Sequence, residues 1–329
     1  MTPEPRDPWT DPETETEILR LQATLRPLRH QTRPLPERCF PPRRRPRWGL
    51  ALAAAVLVAV IGPSAGAAWR FSWPEGAAWS GTIMTADGAS TAVQLEPGRE
   101  FQVPGTHHAE FAIARLGSLQ LDPGTTLRLI ETRSGQHRAE LLQGRLHARV
   151  WAPPGVFGVQ LGQTRALDLG CVFTLSRDAA GHARLEVQSG WVLLSGPHES
   201  LVPAGAQADI DPVRGPGTPY RHVAAPALRT ALARIDALQG GVAPSGPEVA
   251  AVLDAASDAD ALSLVALLSR YPTLAAGPLL PRTERALPQA AAVDRERLRR
   301  GDPSALNPLW EALPYPRAKS WWLHWRDAY

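Results

Sequence analysis

The sequence predicts an all-β domain of jelly-roll or sandwich-like type, flanked by one transmembrane helix before it and a C-terminal α-helical region after it. Three observations carry that expectation. Short alternating runs such as TLRLIE, RLHARVWA and RLEVQSGWVLL lie between about Gly81 and Ile210, separated by turn signals. An uncharged stretch, WGLALAAAVLVAVIGPSAGAAW, runs from Trp48 to Trp69. Beyond Tyr220 the apolar residues fall at helical spacing.

The chain has 329 residues and 44% hydrophobic content, enough to build a packed core. Its formal net charge of +3 is local: residues 1–47 hold ten Arg against seven Asp or Glu, and the rest carries 25 of each sign. The bulk of the protein therefore has no surplus for a polyanion, and no nucleic-acid partner is expected.

Residues 1–47 read as a cytoplasmic arm, largely disordered with a short helix. Thr14 and Glu17 have capping-box spacing, and Ile18, Leu21 and Leu25 follow on one helical face. Pro27 ends this helix after about three turns, too few for stability in isolation. Ile18, Leu21 and Leu25 are thus candidate partner-binding residues; the competing reading is a tail that only sets topology. From Arg26 to Arg47 the chain is rich in Pro and Arg with Glu37 its one acid, a tether whose charge suits anionic headgroups. His30 and Cys39 alone are too few to hold a tetrahedral zinc.

The stretch 48–69 makes roughly 33 Å of helix at about 1.5 Å per residue, enough for a hydrocarbon core of about 30 Å. Trp48 and Trp69 stand at its ends, where amphipathic rings favour the headgroup region, and Arg43, Arg44, Arg45 and Arg47 precede it. That arrangement predicts a membrane anchor in the lipid bilayer with the N-terminus inside. A cleaved signal competes, since Leu50–Ile61 is short and Ala65-Gly66-Ala67 resembles a cleavage site. A signal peptide totals about 15 to 30 residues, however, which the preceding arm already exceeds. In the anchored topology Cys39 and Cys171 lie on opposite sides and no disulfide joins them.

The region 81–210 is punctuated by Glu96-Pro97-Gly98, Asp122-Pro123-Gly124, Ser134-Gly135, Pro153-Pro154-Gly155, Asp178 to Gly181 and Pro203-Ala204-Gly205. Six pieces occur in order along it: LDPGTTLRL (121–129), AELLQGRLHARV (139–150), VFGVQL (156–161), DLGCVFTL (168–175), LEVQSGWVLL (185–194) and LVPAGAQADI (201–210). This ordered set resembles the FecR-like family of single-pass regulators, whose extracytoplasmic FecR domain is often paired with sigma factors. It covers Leu116 to Ile210, under a third of the chain.

The positions that match structurally are Gly144, Gly170, Cys171, Phe173, Gly190, Trp191 and Gly205. The resemblance implies a bacterial inner-membrane protein with a cytoplasmic N-terminus and a periplasmic C-terminus. It also implies an extracytoplasmic-function sigma factor as partner of residues 1–47, and anti-sigma signalling with no cofactor. At 170–173 the family pattern is Gly-Thr-x-Phe, and here cysteine replaces the threonine. A subgroup with Gly-Cys there continues with a segment like GPGTPY (215–220) and a helical tail, which DADALSLVALLSR (258–270) and LNPLWEAL (306–313) resemble. Cysteine and threonine are alike in size, so the swap favours a packed position.

In the helical region, 222–329, Leu228, Leu232 and Ile235 recur at i, i+4, i+7; Leu262, Val265 and Leu268 recur at i, i+3, i+6. Ser257 and Asp260 fit a capped start for the second of these helices. AKSWWLHWRDAY at the end places Trp321 and Trp325 on one face, with Trp322 off it. It reads as a helix packed on the domain, a surface for an envelope protein, or an interfacial contact.

No active site emerges. His107, His108 and Glu110 form the densest group, but consecutive strand residues point to opposite faces and do not make a ligand set. No Gly-rich loop opens a helix. A nucleophilic Cys171 would need a basic partner, and Asp168 opposes thiolate formation. The sequence therefore predicts no enzyme, no metal and no cofactor. It leaves two functions: a membrane regulator signalling to a sigma factor, or an anchored binding or scaffolding module without one.

Overall fold

The computed structural model describes residues 12–26, 69–85, 87–239 and 241–315. The chain divides into two units, Met1–Ala59 and Val60–Tyr329. The described part of the first is one helix, α1 (Pro12–Leu25). It begins at a proline, whose fixed φ suits a first helical position. Thr14 is the third residue of this helix.

The described part of the second unit begins with a helical turn over 69–71 and holds sixteen strands. One sheet runs β2 (Ser90–Leu95), β1 (Trp79–Met84), β4 (His108–Ile113), β5 (Gly117–Leu121), β7 (Gln136–Val150), β10 (Val172–Arg177), β11 (Ala183–Ser189) and β14 (Ala206–Asp211). Two short strands, β15 (Gly215–Pro216) and β16 (Tyr220–Arg221), pair with β14 at its margin. The other sheet runs β3 (Glu100–Gln102), β6 (Thr126–Arg133), β7, β8 (Phe157–Leu161), β9 (Thr164–Asp168), β12 (Trp191–Ser195) and β13 (Glu199–Pro203). Every pairing is antiparallel except β7 with β8.

β7 belongs to both sheets. Its first half pairs with β6 and β8, its second half with β5 and β10, and the change falls at Gly144. Gly144 has φ +99°, and a Cβ there would lie 2.5 Å from Thr125 Cα. Thr125 fixes this bend: its Oγ1 donates to the Arg145 carbonyl at 2.9 Å and accepts the Arg145 N–H at 3.0 Å. Only glycine meets both the backbone angle and the close approach.

The sheets face each other through aromatic contacts. Trp79 on β1 lies 6.3 Å from Phe157 on β8, and Phe157 lies 6.5 Å from Phe173 on β10. Phe101 on β3 meets Phe111 on β4 edge-on at 4.9 Å. The Trp79 indole N–H donates to Thr132 Oγ1 at 3.2 Å, and Thr132 is bonded in turn to Nδ1 of buried His137 at 2.9 Å. Because indole only donates, the Thr132 hydroxyl hydrogen is left for Nδ1, which suits a neutral imidazole.

Six helices follow among the described residues: α2 (Pro226–Ala237), α3 (Pro247–Ala255), α4 (Ala261–Arg270), α5 (Leu279–Ala286), α6 (Arg295–Arg299) and α7 (Asn307–Ala312). α2 buries Leu228, Leu232 and Ile235, the spaced residues of the sequence. The capping box of Ser257 and Asp260 is present, closing a short 3-10 turn (Asp258–Asp260) that leads into α4. α4 is buried from Ala261 to Leu268 and is the centre of the helical layer. Its core is continuous with that of the sheets.

The expected transmembrane helix is corrected. No helix among the described residues is long and apolar enough to cross a membrane. α1, the longest, has 14 residues, about 21 Å, and is rich in acids. Arg43, Arg44, Arg45, Arg47, Trp48 and the rest of the expected span up to residue 68 lie outside the described residues, as do His30, Cys39 and the segment with Trp321, Trp322 and Trp325. Trp69 is described, and its ring lies 4.1 Å from the Arg115 guanidinium of the β-domain, whose Nη1 also donates to the Trp69 and Ser72 carbonyls at 2.7 and 2.8 Å. The fold is thus a large β-domain with C-terminal helices, and the single-pass inner-membrane placement is withdrawn with the helix that implied it.

Candidate functional site

The helical layer is fastened to the β-domain by the segment 215–220. Gly217 N–H donates to the Asp209 carbonyl at 2.7 Å, the Pro219 carbonyl accepts from Ser263 of α4 at 2.9 Å, and the Tyr220 hydroxyl donates to Asp209 Oδ2 at 2.6 Å. Burial and the Asp209 carboxylate push the Tyr220 phenol well above its ordinary range. Next along, Arg221 Nη2 lies 2.9 Å from Asp260 Oδ1, and the Asp260 side chain is 4% exposed. A buried carboxylate needs such partners.

At the centre of this seam stands Arg270, the last residue of α4, where a cation also complements the helix C-terminus. Its side chain is 8% exposed. Nη1 lies 3.2 Å from Asp236 Oδ1 without hydrogen-bond geometry, and Nη2 is bonded to His198 Nε2. A guanidinium has only donors, so His198 Nε2 accepts and the ring is neutral. Burial, and then the Arg270 charge, lower the His198 pKa accordingly. Asp236 itself is held by Thr218, whose N–H and Oγ1 each donate to it at 2.7 Å.

Two clefts flank Arg270. One, of about 290 Å³, opens between the β14–β16 margin and α2. The other, of about 490 Å³, opens between β12–β13 and the helices, with Trp310 at its wall donating to Ser269 at 2.8 Å. Arg270, Gly217 and Thr218 line both.

The described residues singled out from the sequence separate into four places. Gly170, Cys171, Gly190, Trp191 and Gly205 come together at one end of the sandwich, where Leu169 N–H donates to the Trp191 carbonyl at 3.1 Å and Ala204 N–H to the Gly190 carbonyl at 2.9 Å. Trp191 also meets Tyr315 edge-on at 5.6 Å. Phe173 lies in the core and Gly144 at the bend of β7. Ile18, Leu21 and Leu25 on α1 are 39%, 56% and 54% exposed.

Cys171 is a buried free thiol bonded to the Asp168 carboxylate, which also accepts the backbone N–H groups of Gly170 and Cys171. Burial raises the Asp168 carboxyl to about 7. Burial and that carboxylate push the thiol well above its usual value, so no thiolate forms near neutrality. The histidines at 107 and 108 take separate partners: His107 contacts Thr106 Oγ1 at 3.0 Å, and His108 lies 3.8 Å from Asp122.

Sequence reasoning missed Arg270, Asp236, Thr218 and His198. One signal was present: Arg270 is the only charge in ALSLVALLSR, an otherwise apolar and Ser-containing helix.

No family model and no curated protein matches the chain. Two crystal structures from Parabacteroides distasonis ATCC 8503, each described as a “putative anti-sigma factor”, are similar to it at 20% identity and a TM-score of 0.32. The similarity covers 36% of this chain and 57% or 56% of those chains, so the chain spans little more than half of their length.

Proposed function

We propose that the chain is a non-enzymatic regulator that acts by protein–protein contact, with α1 presenting Ile18, Leu21 and Leu25 to an extracytoplasmic-function sigma factor. The observation that carries this reading is the apolar stripe of α1, left uncovered in a helix too short to be stable in isolation. Burying each such side chain contributes about 1.5–3 kcal/mol, enough for a partner to order the helix. The ordered motif resemblance across Leu116 to Ile210 supports the sigma-factor class of partner. The alternative, a binding or scaffolding module without a sigma factor, is favoured by the buried arginine between two clefts.

Affinity capture with the full chain separates the two readings. The wild-type chain should retain a sigma factor that the triple variant Ile18→Asp, Leu21→Asp, Leu25→Asp releases. Capture of no sigma factor by the wild-type chain, or equal capture by the variant, would reject the regulatory reading.

A further inference from the structure

We infer that the free edge of β2 is a self-association site, on which a second copy of this chain adds its own β2 antiparallel about a two-fold axis through Ala92. This goes beyond the proposed regulatory role and does not depend on α1.

One sheet edge lacks the protection given to the others. β3 is three residues long, and its Glu100 is paired with Arg128 of β6. β13 ends at Pro203 and is tied to the segment 215–220 through Ser200, whose hydroxyl donates to the Gly217 carbonyl at 3.0 Å. β14 is capped on its outer side by β15 and β16. β2 has none of these devices. It is six residues long, pairs among the described strands with β1 alone, and keeps an unbroken register from Trp79–Leu95 to Met84–Ser90. Neither strand carries a charge or a proline, and Ser90, Thr91, Ala92 and Gln94 are exposed. Long, flat, uncharged edges are templates for pairing with another strand.

The strand is also complementary to itself. Thr85 N–H donates to the Ala89 carbonyl at 3.0 Å beside the turn, which sets the alternation of the β1–β2 ladder. The N–H and C=O groups of Thr91, Val93 and Leu95 therefore face β1, and those of Ser90, Ala92 and Gln94 point out from the edge. With Ala92 opposite Ala92 of the second copy, Ser90 falls opposite Gln94, and these outward residues exchange about six hydrogen bonds across the axis. On one face of the joined sheet Ser90 meets Gln94 and alanine meets alanine; on the other, Thr91 meets Val93, a β-branched pair. A contact of this length buries less than the roughly 1,200 Å² of a standard interface, so the dimer is weak and concentration-dependent.

Sedimentation equilibrium of the full chain over a concentration series tests this, in the Ile18→Asp, Leu21→Asp, Leu25→Asp background so that α1 makes no contribution. The mass should rise from one chain towards two. Ala92→Pro deletes an outward N–H, leaves the β1 ladder intact, and should weaken association about tenfold or more. Ala92→Lys and Ala92→Asp should each stay monomeric, because like charges then stand opposite one another, and their equimolar mixture should form a heterodimer. That rescue also shows both variants to be folded at the edge. A chain that stays monomeric throughout, which would leave the edge to a strand of another protein, would overturn the inference. So would an association that Ala92→Pro and Ala92→Lys leave undiminished, or a charge-swapped mixture that fails to associate.

Discussion

Cys171 donates its S–H to the carboxylate of Asp168, three residues before it, and both side chains are closed off from solvent. Position 171 therefore requires a compact residue that can donate. Threonine and cysteine both satisfy that requirement, which gives a physical reason for either to stand between Gly170 and Phe173. Cys171→Thr should change stability by no more than about 1 kcal/mol, whereas Cys171→Val, which packs but cannot donate, should cost about 1–3 kcal/mol. Urea unfolding compares them, and equal stabilities would show the hydrogen bond to be immaterial.

Asp168 and His137 predict opposing responses to pH. The Asp168 carboxyl rises from 3.8 to about 7 in the folded protein, so it holds a proton that the unfolded chain gives up. The stability it contributes is complete below pH 3.8 and is lost as pH rises through about 7. Burial lowers His137 from 6.5 to about 4, so the unfolded chain takes up the proton first. Its contribution is complete above pH 6.5 and is lost as pH falls through about 4. Relative to wild type, Asp168→Asn should gain on the order of 2–4 kcal/mol from pH 4 to 8, and His137→Phe a similar amount from pH 7 to 4. Unfolding midpoints at pH 4.5, 6 and 7.5 check both slopes, and parallel curves would contradict the two environments.

Gly144→Ala should destabilise by about 2–4 kcal/mol, because it combines a positive φ with a Cβ pressed against the Thr125 backbone. Gly135→Ala is the control, since its φ is +73° but nothing lies within 4 Å of a Cβ there. Its cost should be confined to backbone strain, about 1 kcal/mol. Thermal denaturation of the pair isolates the steric part.

Arg221→Leu should cost about 3 kcal/mol by leaving the Asp260 carboxylate buried with only Ser257 to donate to it. Adding Asp260→Asn should recover part of the loss. A double-mutant cycle with purely additive costs would mean that this pair does not fasten the helices to the sheets.

Local features were legible in the sequence, and distant pairings were not. The i, i+4, i+7 leucines of α2 and the Ser257–Asp260 box need only neighbouring residues, and both can be read from spacing. Arg270 meets His198 across 72 residues and Arg221 meets Asp260 across 39, separations at which no periodicity points to a partner. The double membership of β7 was equally hidden, since a continuous alternating run looks the same whether it serves one sheet or two. The expected anchor rested on an apolar length with flanking Trp and Arg residues, and the one residue of it that is described, Trp69, is held by Arg115 through contacts 46 residues apart. For the candidate site, the sequence shows an apolar helix ending in arginine, while the partners of that arginine, Asp236 and His198, come from distant parts of the chain and are visible only in the structure.

Because β7 is a member of both sheets, neither sheet can open while the other stays closed. Amide hydrogens along 136–150 should exchange with solvent only when the whole β-domain unfolds, at a single common rate limit. A protease would accordingly find no half-open sandwich to cut, and the β-domain would survive intact or be degraded throughout.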